Sequence, residues 1–157
     1  MVIASTRAAT GVYPDRTGPV IVDWLRGKGF EVAAPIVVAD GDAVGAALRD
    51  AVVGSTVVIT SGGTGISPTD TTPEQTAAVI DREVPGLADA IRRYGADSGV
   101  ATAVLSRGLA GVAGGALVVN LPGSTGGVRD GLAVLDGVLE HAVSQLAGGD
   151  HRSGGGV

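Results

Sequence analysis

The chain has 157 residues, 16 acidic against 11 basic for a net charge of −5, with no cysteine, two histidines, one tryptophan, two tyrosines and one phenylalanine. That length suits a single domain that buries roughly 70% of its unfolded surface, so a hydrophobic core can hold it without disulfides. Thiolate zinc, iron–sulfur and histidine-rich metal sites are excluded, and an acidic chain poor in aromatics is a weak candidate for nucleic-acid binding.

From the N-terminus, Val2–Ala4 reads as a strand, and the natural chain is expected to begin slightly before it. The polar stretch "STRAATGVYPDRTG" leads to a helix with Val20, Ile21, Trp24 and Leu25 at helical spacing, Trp24 being a core residue and Asp15–Arg16 a local ion pair. "EVAAPIVV", Glu31–Val38, predicts a second strand ending at Ala39-Asp40-Gly41-Asp42, and Val44, Ala47, Leu48 and Ala51 mark the next helix, with Asp42 as its cap. Ser55–Thr60 and Ala116–Asn120 are continuous apolar runs, the pattern of strands covered on both faces.

Between those runs, Thr72-Pro73-Glu74-Gln75 reads as a helix start, with Thr72 as N-cap, proline in the first turn and Gln75 closing a capping box. Further helical segments are predicted over Ala77–Ile80 and Leu87–Tyr94. A long final helix spans Val128–Leu146, with Val128, Leu132, Leu135, Leu139 and Val143 on one stripe and His141 as a partly buried structural residue. Residues 1–148 form the domain, and 149–157 read as a disordered tail. Alternating strands and helices predict an α/β fold of three layers, αβα: a mostly parallel, Rossmann-like sheet with helices on both faces. Such sheets bind ligands beyond the C-terminal ends of their strands.

Polar loops occupy those ends. Ser61-Gly62-Gly63-Thr64-Gly65 follows the third strand, and its glycines put backbone N–H groups forward without side chains, a nest for an anion or a flat polar ligand. The loop has no lysine and matches neither the Walker pattern nor G-x-G-x-x-G. Asp70 closes it, either facing the site or forming a local Asx turn, and Asp40 at a strand end is the second acidic candidate. Ser106-Arg107 could grip a phosphate or merely end an element, and Ser124 or Thr125 caps the last helix beside Pro122-Gly123. Any metal has to take oxygen ligands, which favours Mg²⁺.

Taken in order, "ATGVYPDRTGP", "VVADGDAV", "TSGGTGISPTDTTPEQT", "LSRGLAGVAG" and "LVVNLPGS…VRDGL" resemble the molybdenum cofactor biosynthesis proteins of the Mog/MoaB type over about residues 3–148. The phrasing is most similar to actinobacterial members. The resemblance implies transfer of AMP from Mg-ATP to the terminal phosphate of molybdopterin. By position it implies that Ser61, Gly62, Gly63, Thr64, Gly65 and Ser106 form the pterin and phosphate pocket, with Pro122, Gly123 and Ser124 as a second ligand loop. Asp40 and Asp70 match the acidic residues implicated in Mg-ATP use and catalysis, Asp40 as Mg²⁺ ligand and Asp70 at metal or phosphate. It further implies a cytoplasmic homotrimer with a molybdate-insertion enzyme as transient partner, and no nucleic-acid or membrane partner. The alternatives are a carrier paralogue that binds molybdopterin without chemistry, and an oligomeric scaffold. Retention of both aspartates favours the enzyme.

Overall fold

A computed structural model describes residues 1–149. Six strands form one sheet in the order β2-β1-β3-β6-β5-β4: β1 (Val2–Ala4), β2 (Ile36–Val38), β3 (Val57–Ser61), β4 (Arg82–Glu83), β5 (Ala110–Ala113) and β6 (Ala116–Leu121). The β2-β1-β3-β6 block is parallel, and at the far edge β5 pairs antiparallel to β6 and β4 antiparallel to β5. The helices are α1 (Thr6–Ala9), α2 (Gly18–Gly27), α3 (Asp42–Val52), α4 (Thr72–Ala77), α5 (Pro85–Asp97), α6 (Thr125–Asp136) and α7 (Leu139–Leu146), with a 3₁₀ turn at Ala101–Leu105.

The strand alternation sorts the core into two layers. Leu117, Val119 and Leu121 of β6, with Ile59 of β3, meet Ile21 and Leu25 of α2, Ile91 of α5, Val128, Leu132 and Leu135 of α6 and Leu139 of α7. Ala116 and Val118 of β6, with Val58, turn the other way onto Val44, Ala47 and Leu48 of α3. Because both faces are covered, the central strands carry no polar alternation, and the three-layer expectation holds. Each fully buried leucine contributes about 1.5–3 kcal/mol relative to an exposed one.

The predicted boundaries shift where pairing or turning demands it. Only Ile36–Val38 of the "EVAAPIVV" run is strand. Its sole neighbour β1 offers three residues, in register Val2↔Ile36 to Ala4↔Val38, and Pro35 has no N–H to extend the ladder. The helix expected over Ala77–Ile80 has already ended at Ala77, because Asp81 N must reach Val112 O (2.7 Å) to begin the antiparallel edge. The final helix breaks at Gly137 into α6 and α7, yet Val128, Leu132, Leu135 and Leu139 stay buried on one stripe across the break. His141 is exposed. Trp24 is half-buried against the α2–α6 side of the core. Of the predicted tail, residues 150–157 lie outside the described residues.

Composition hid β4 and β5. Ala110-Gly111-Val112-Ala113 has little β-branched character, and Gly111 is required because a Cβ there would meet Arg82 O at 2.6 Å. The signal that could have found the pair is Gly114-Gly115 between the partners Ala113 and Ala116, the two-residue loop of a hairpin.

Candidate active site

The parallel block sends the ends of β1, β2, β3 and β6 to one rim, where their loops interlock. Gly62 N donates to Leu121 O (3.1 Å), and Ser61 Oγ hydrogen-bonds Pro122 O (2.9 Å) and Thr17 Oγ1 (3.0 Å). Gly62 and Gly63 adopt φ of 100° and 65°, where a side chain is strained. A Cβ on Gly62 would also strike Ala4 O, and one on Gly63 would strike Thr72 Oγ1.

Below the rim, Asn120 Nδ2 donates to Thr60 Oγ1 and Thr76 Oγ1 (both 2.9 Å), and its Oδ1 accepts from Leu109 N (3.0 Å). This buried network ties β3, α4 and the segment after Ser106 into one support.

Two cavities open on the rim. The first, about 860 Å³, is the more polar of the two: it is lined by Arg7, Asp15, Arg16, Asp40, Ser61 and Thr69 among others. The second, about 640 Å³, is lined by Thr64–Ile66, Ile91, Arg92, Val100, Leu105, Ser106, Pro122 and Asp130 among others. Gly63, Asp70, Gly123 and Ser124 line both and form the wall between them. Asp40, Asp70, Ser61–Gly65, Ser106 and Pro122–Ser124 therefore gather at one place, Asp40 on the first cavity and Ser106 on the second.

Asp40 is anchored by one oxygen. Its Oδ2 accepts from Thr6 N (3.1 Å) and Thr6 Oγ1 (2.8 Å), while Oδ1 accepts no hydrogen bond among the described residues and lies 3.2 Å from where a Cβ on Gly63 would stand. The glycine thus leaves space in front of the carboxylate. Asp70 Oδ2 accepts from Ser67 N (3.1 Å) and sits over Gly65, 2.7 Å from its would-be Cβ. Asp70 therefore lines both cavities while bonding back to Ser67 N, and the Asx turn is not formed, because Thr72 N donates to Gly63 O instead.

Ser106 Oγ meets Thr64 Oγ1 at 3.3 Å, and Ser124 Oγ accepts from Gly127 N (3.1 Å) as the N-cap of α6. Arg92, unremarked in the sequence, holds Ser106 O (3.2 Å) and Gly108 O (2.9 Å) from α5.

Several local expectations are corrected here. Asp15 does not pair with Arg16: its Oδ1 accepts from Thr17 N (3.0 Å) and Gly18 N (2.9 Å), closing the start of α2. The N-cap of α3 is Gly41, and Asp42, its first residue, instead accepts from Gln75 Nε2 (3.2 Å). That contact takes Gln75 out of the capping box. Thr72 is the first residue of α4 and its N donates to Gly63 O (3.1 Å), with Oγ1 buried and unpaired among the described residues. Arg107 lines neither cavity; it bonds the glycine loop and pairs with Glu74. Its hydrogen bond holds the Glu74 carboxyl below the usual glutamate range, and the pairing raises the Arg107 guanidinium further above neutrality.

Among the described residues no cluster of three or more His, Cys, Asp or Glu side chains could cage a metal. One carboxylate with an open oxygen beside a glycine suits an ion that arrives on phosphate oxygens and keeps its waters, which is how Mg²⁺ is usually held. No helix among these residues is long and apolar enough to cross a membrane.

The family described as "Probable molybdopterin binding domain" matches residues 1–141. The chain is 38% identical to the molybdenum cofactor biosynthesis bifunctional protein of Synechococcus elongatus over 96% of its own length, although it spans only 48% of that relative. It is 34% identical to the molybdopterin adenylyltransferase of Escherichia coli K12, over 89% of this chain and 72% of the relative. The solved molybdopterin biosynthesis Mog protein from Mycobacterium ulcerans is 60% identical and superposes with a TM-score of 0.88, covering 94% of each chain.

Proposed function

The chain belongs to the molybdopterin-binding domain family, and from that premise we propose that it acts in molybdenum cofactor biosynthesis as a molybdopterin adenylyltransferase. An oxygen of the terminal phosphate of molybdopterin attacks the α-phosphorus of Mg-ATP. The bond from that phosphorus to the bridging oxygen breaks, and pyrophosphate leaves. A phosphate monoester is largely dianionic at pH 7, since its second pKa is about 6, so the nucleophile needs no strong base. The difficulty is bringing two polyanions together, and positioning, a metal and fixed dipoles address it.

The observation that carries this reading is the shared wall: two adjoining cavities with Gly63, Asp70, Gly123 and Ser124 common to both linings could bring two ligands together. The more polar cavity, with Asp40, Arg7 and Arg16, suits the triphosphate and its Mg²⁺, with Asp40 Oδ1 on the metal side. The cavity bearing Ile66, Ile91, Val100 and Leu105 suits a flat ring, with Ser106 and the glycine loop toward its phosphate. Asp70, on the wall, serves metal or phosphate positioning. The resemblance also supports a cytoplasmic homotrimer that passes its product to a molybdate-insertion enzyme.

The test is single-turnover formation of adenylyl-molybdopterin from molybdopterin and Mg-ATP by wild type, Asp40→Asn and Asp70→Asn. Product from wild type and its loss in both variants support the enzyme. Tight molybdopterin binding with no product from any of the three leaves a carrier.

A further inference from the structure

Arg107 lies outside both cavities, and its guanidinium divides its donors between the glycine loop and Glu74 of α4. Its backbone N donates to Thr64 O (2.7 Å), Nε to Gly65 O (2.8 Å) and Nη2 to Asp70 O (2.6 Å), while the guanidinium pairs with the Glu74 carboxylate. Within the loop, Ser67 and Asp70 bond mainly to each other: Asp70 N to Ser67 O (2.9 Å) and Ser67 N to Asp70 Oδ2 (3.1 Å). The turn that carries Asp70 is thus closed on itself and fastened to the body at Gly65 O and Asp70 O by the Arg107 side chain and at Thr64 O by the Arg107 backbone, with Thr72 N to Gly63 O (3.1 Å) as the tie at its base. Gly65 adds no side chain that could pack the turn in place.

We infer that Arg107 is the positioning residue for Asp70, setting the carboxylate against the wall between the two cavities. Arginine suits the task because one planar fork reaches two carbonyls and a carboxylate together; a lysine offers a single point charge and cannot span them. The catalytic part of this inference rests on the reading of Asp70 as a reaction residue.

Two measurements test it. In single turnover, Arg107→Met is expected to lower the rate by roughly 10²-fold, the scale of a misplacement of about 1 Å. Arg107→Lys should recover little of it, and Asp70→Asn/Arg107→Met should be no slower than Asp70→Asn alone. Multiplying losses in the double variant, or full activity of Arg107→Met, overturns the inference. Independently of turnover, the amides of Ser67 and Asp70 should exchange hydrogen at least about tenfold faster in Arg107→Met, with exchange in β3 and β6 unchanged as the control for folding. Unchanged exchange at those two amides overturns the inference as well. If the wild type forms no product, the adenylyltransferase reading fails, and exchange alone decides whether Arg107 places the turn.

Discussion

Gly62 and Gly123 stand back to back, a Cβ on Gly123 falling 3.2 Å from the Cα of Gly62. The two ligand loops are therefore in contact through bare backbone. Gly62 is additionally held at a φ of 100°. Gly62→Ala is expected to lower stability by roughly 1–3 kcal/mol, the scale of a residue forced into a sparsely populated conformation. It should also weaken binding of both substrates. Urea unfolding and titration with each substrate separately check this; loss of affinity for only one substrate would contradict the shared contact.

Asn120 concentrates the buried polarity under the site. Asn120→Ala leaves Thr60 Oγ1 and Leu109 N to find other partners, while Thr76 Oγ1 keeps its bond to Thr72 O (2.8 Å). Each buried group left unsatisfied costs about 1–3 kcal/mol. The expected result is a lower urea midpoint with an unchanged slope. A change within the error of the midpoint would show that the network is dispensable.

Ser124 has two separable duties, the cap of α6 and a place on the wall. Aspartate is as good a cap as serine, whereas alanine is not, at a cost of about 0.5–2 kcal/mol. Ser124→Asp should keep the melting temperature of wild type but bind ATP and molybdopterin poorly, because it adds an anion where anions must sit. Ser124→Ala should lose stability and keep more of the binding. Parallel melting and binding curves for the two variants separate the duties.

The Glu74–Arg107 pair gives a pH signature of known sign. Glu74 has a lowered pKa in the folded protein, chiefly through its hydrogen bond to Arg107. Its contribution to stability is therefore complete above the ordinary glutamate pKa, about 4.3, and is lost as pH falls through the lower folded value. The effect is small because the pair is exposed to solvent and screened by salt. Glu74→Gln should lower the melting temperature slightly near neutrality, and the difference should close on acidification below the carboxylate range. A difference that persists in strong acid would assign the effect to packing.

How far the site could be read from the sequence follows from what each residue does locally. The glycine loop, Asp40 and the Pro122–Ser124 loop were legible because strand ends followed by small and polar residues have few structural uses. Thr72, Gln75 and Asp15 were misread because a capping motif is judged on neighbours in sequence, and here their partners are the backbone of Gly63, Asp42 across on α3, and the start of α2. Arg92 carried no readable signal and Arg107 reads as a phosphate grip or an element end, because their duty is to hold carbonyl oxygens, which every residue has. The antiparallel edge escaped because alanine and glycine hide a strand when the space above it is small, as it is over Gly111.

The wall between the cavities has an asymmetry as an object of variation. At Gly63 and Gly123, which line both compartments, it carries no side chain of its own. Every replacement at either position adds matter to the partition, and none can remove any. Variation at these glycines can therefore only crowd the boundary, at Gly63 toward Thr72 Oγ1 and Asp40 Oδ1 and at Gly123 toward the backbone of Gly62.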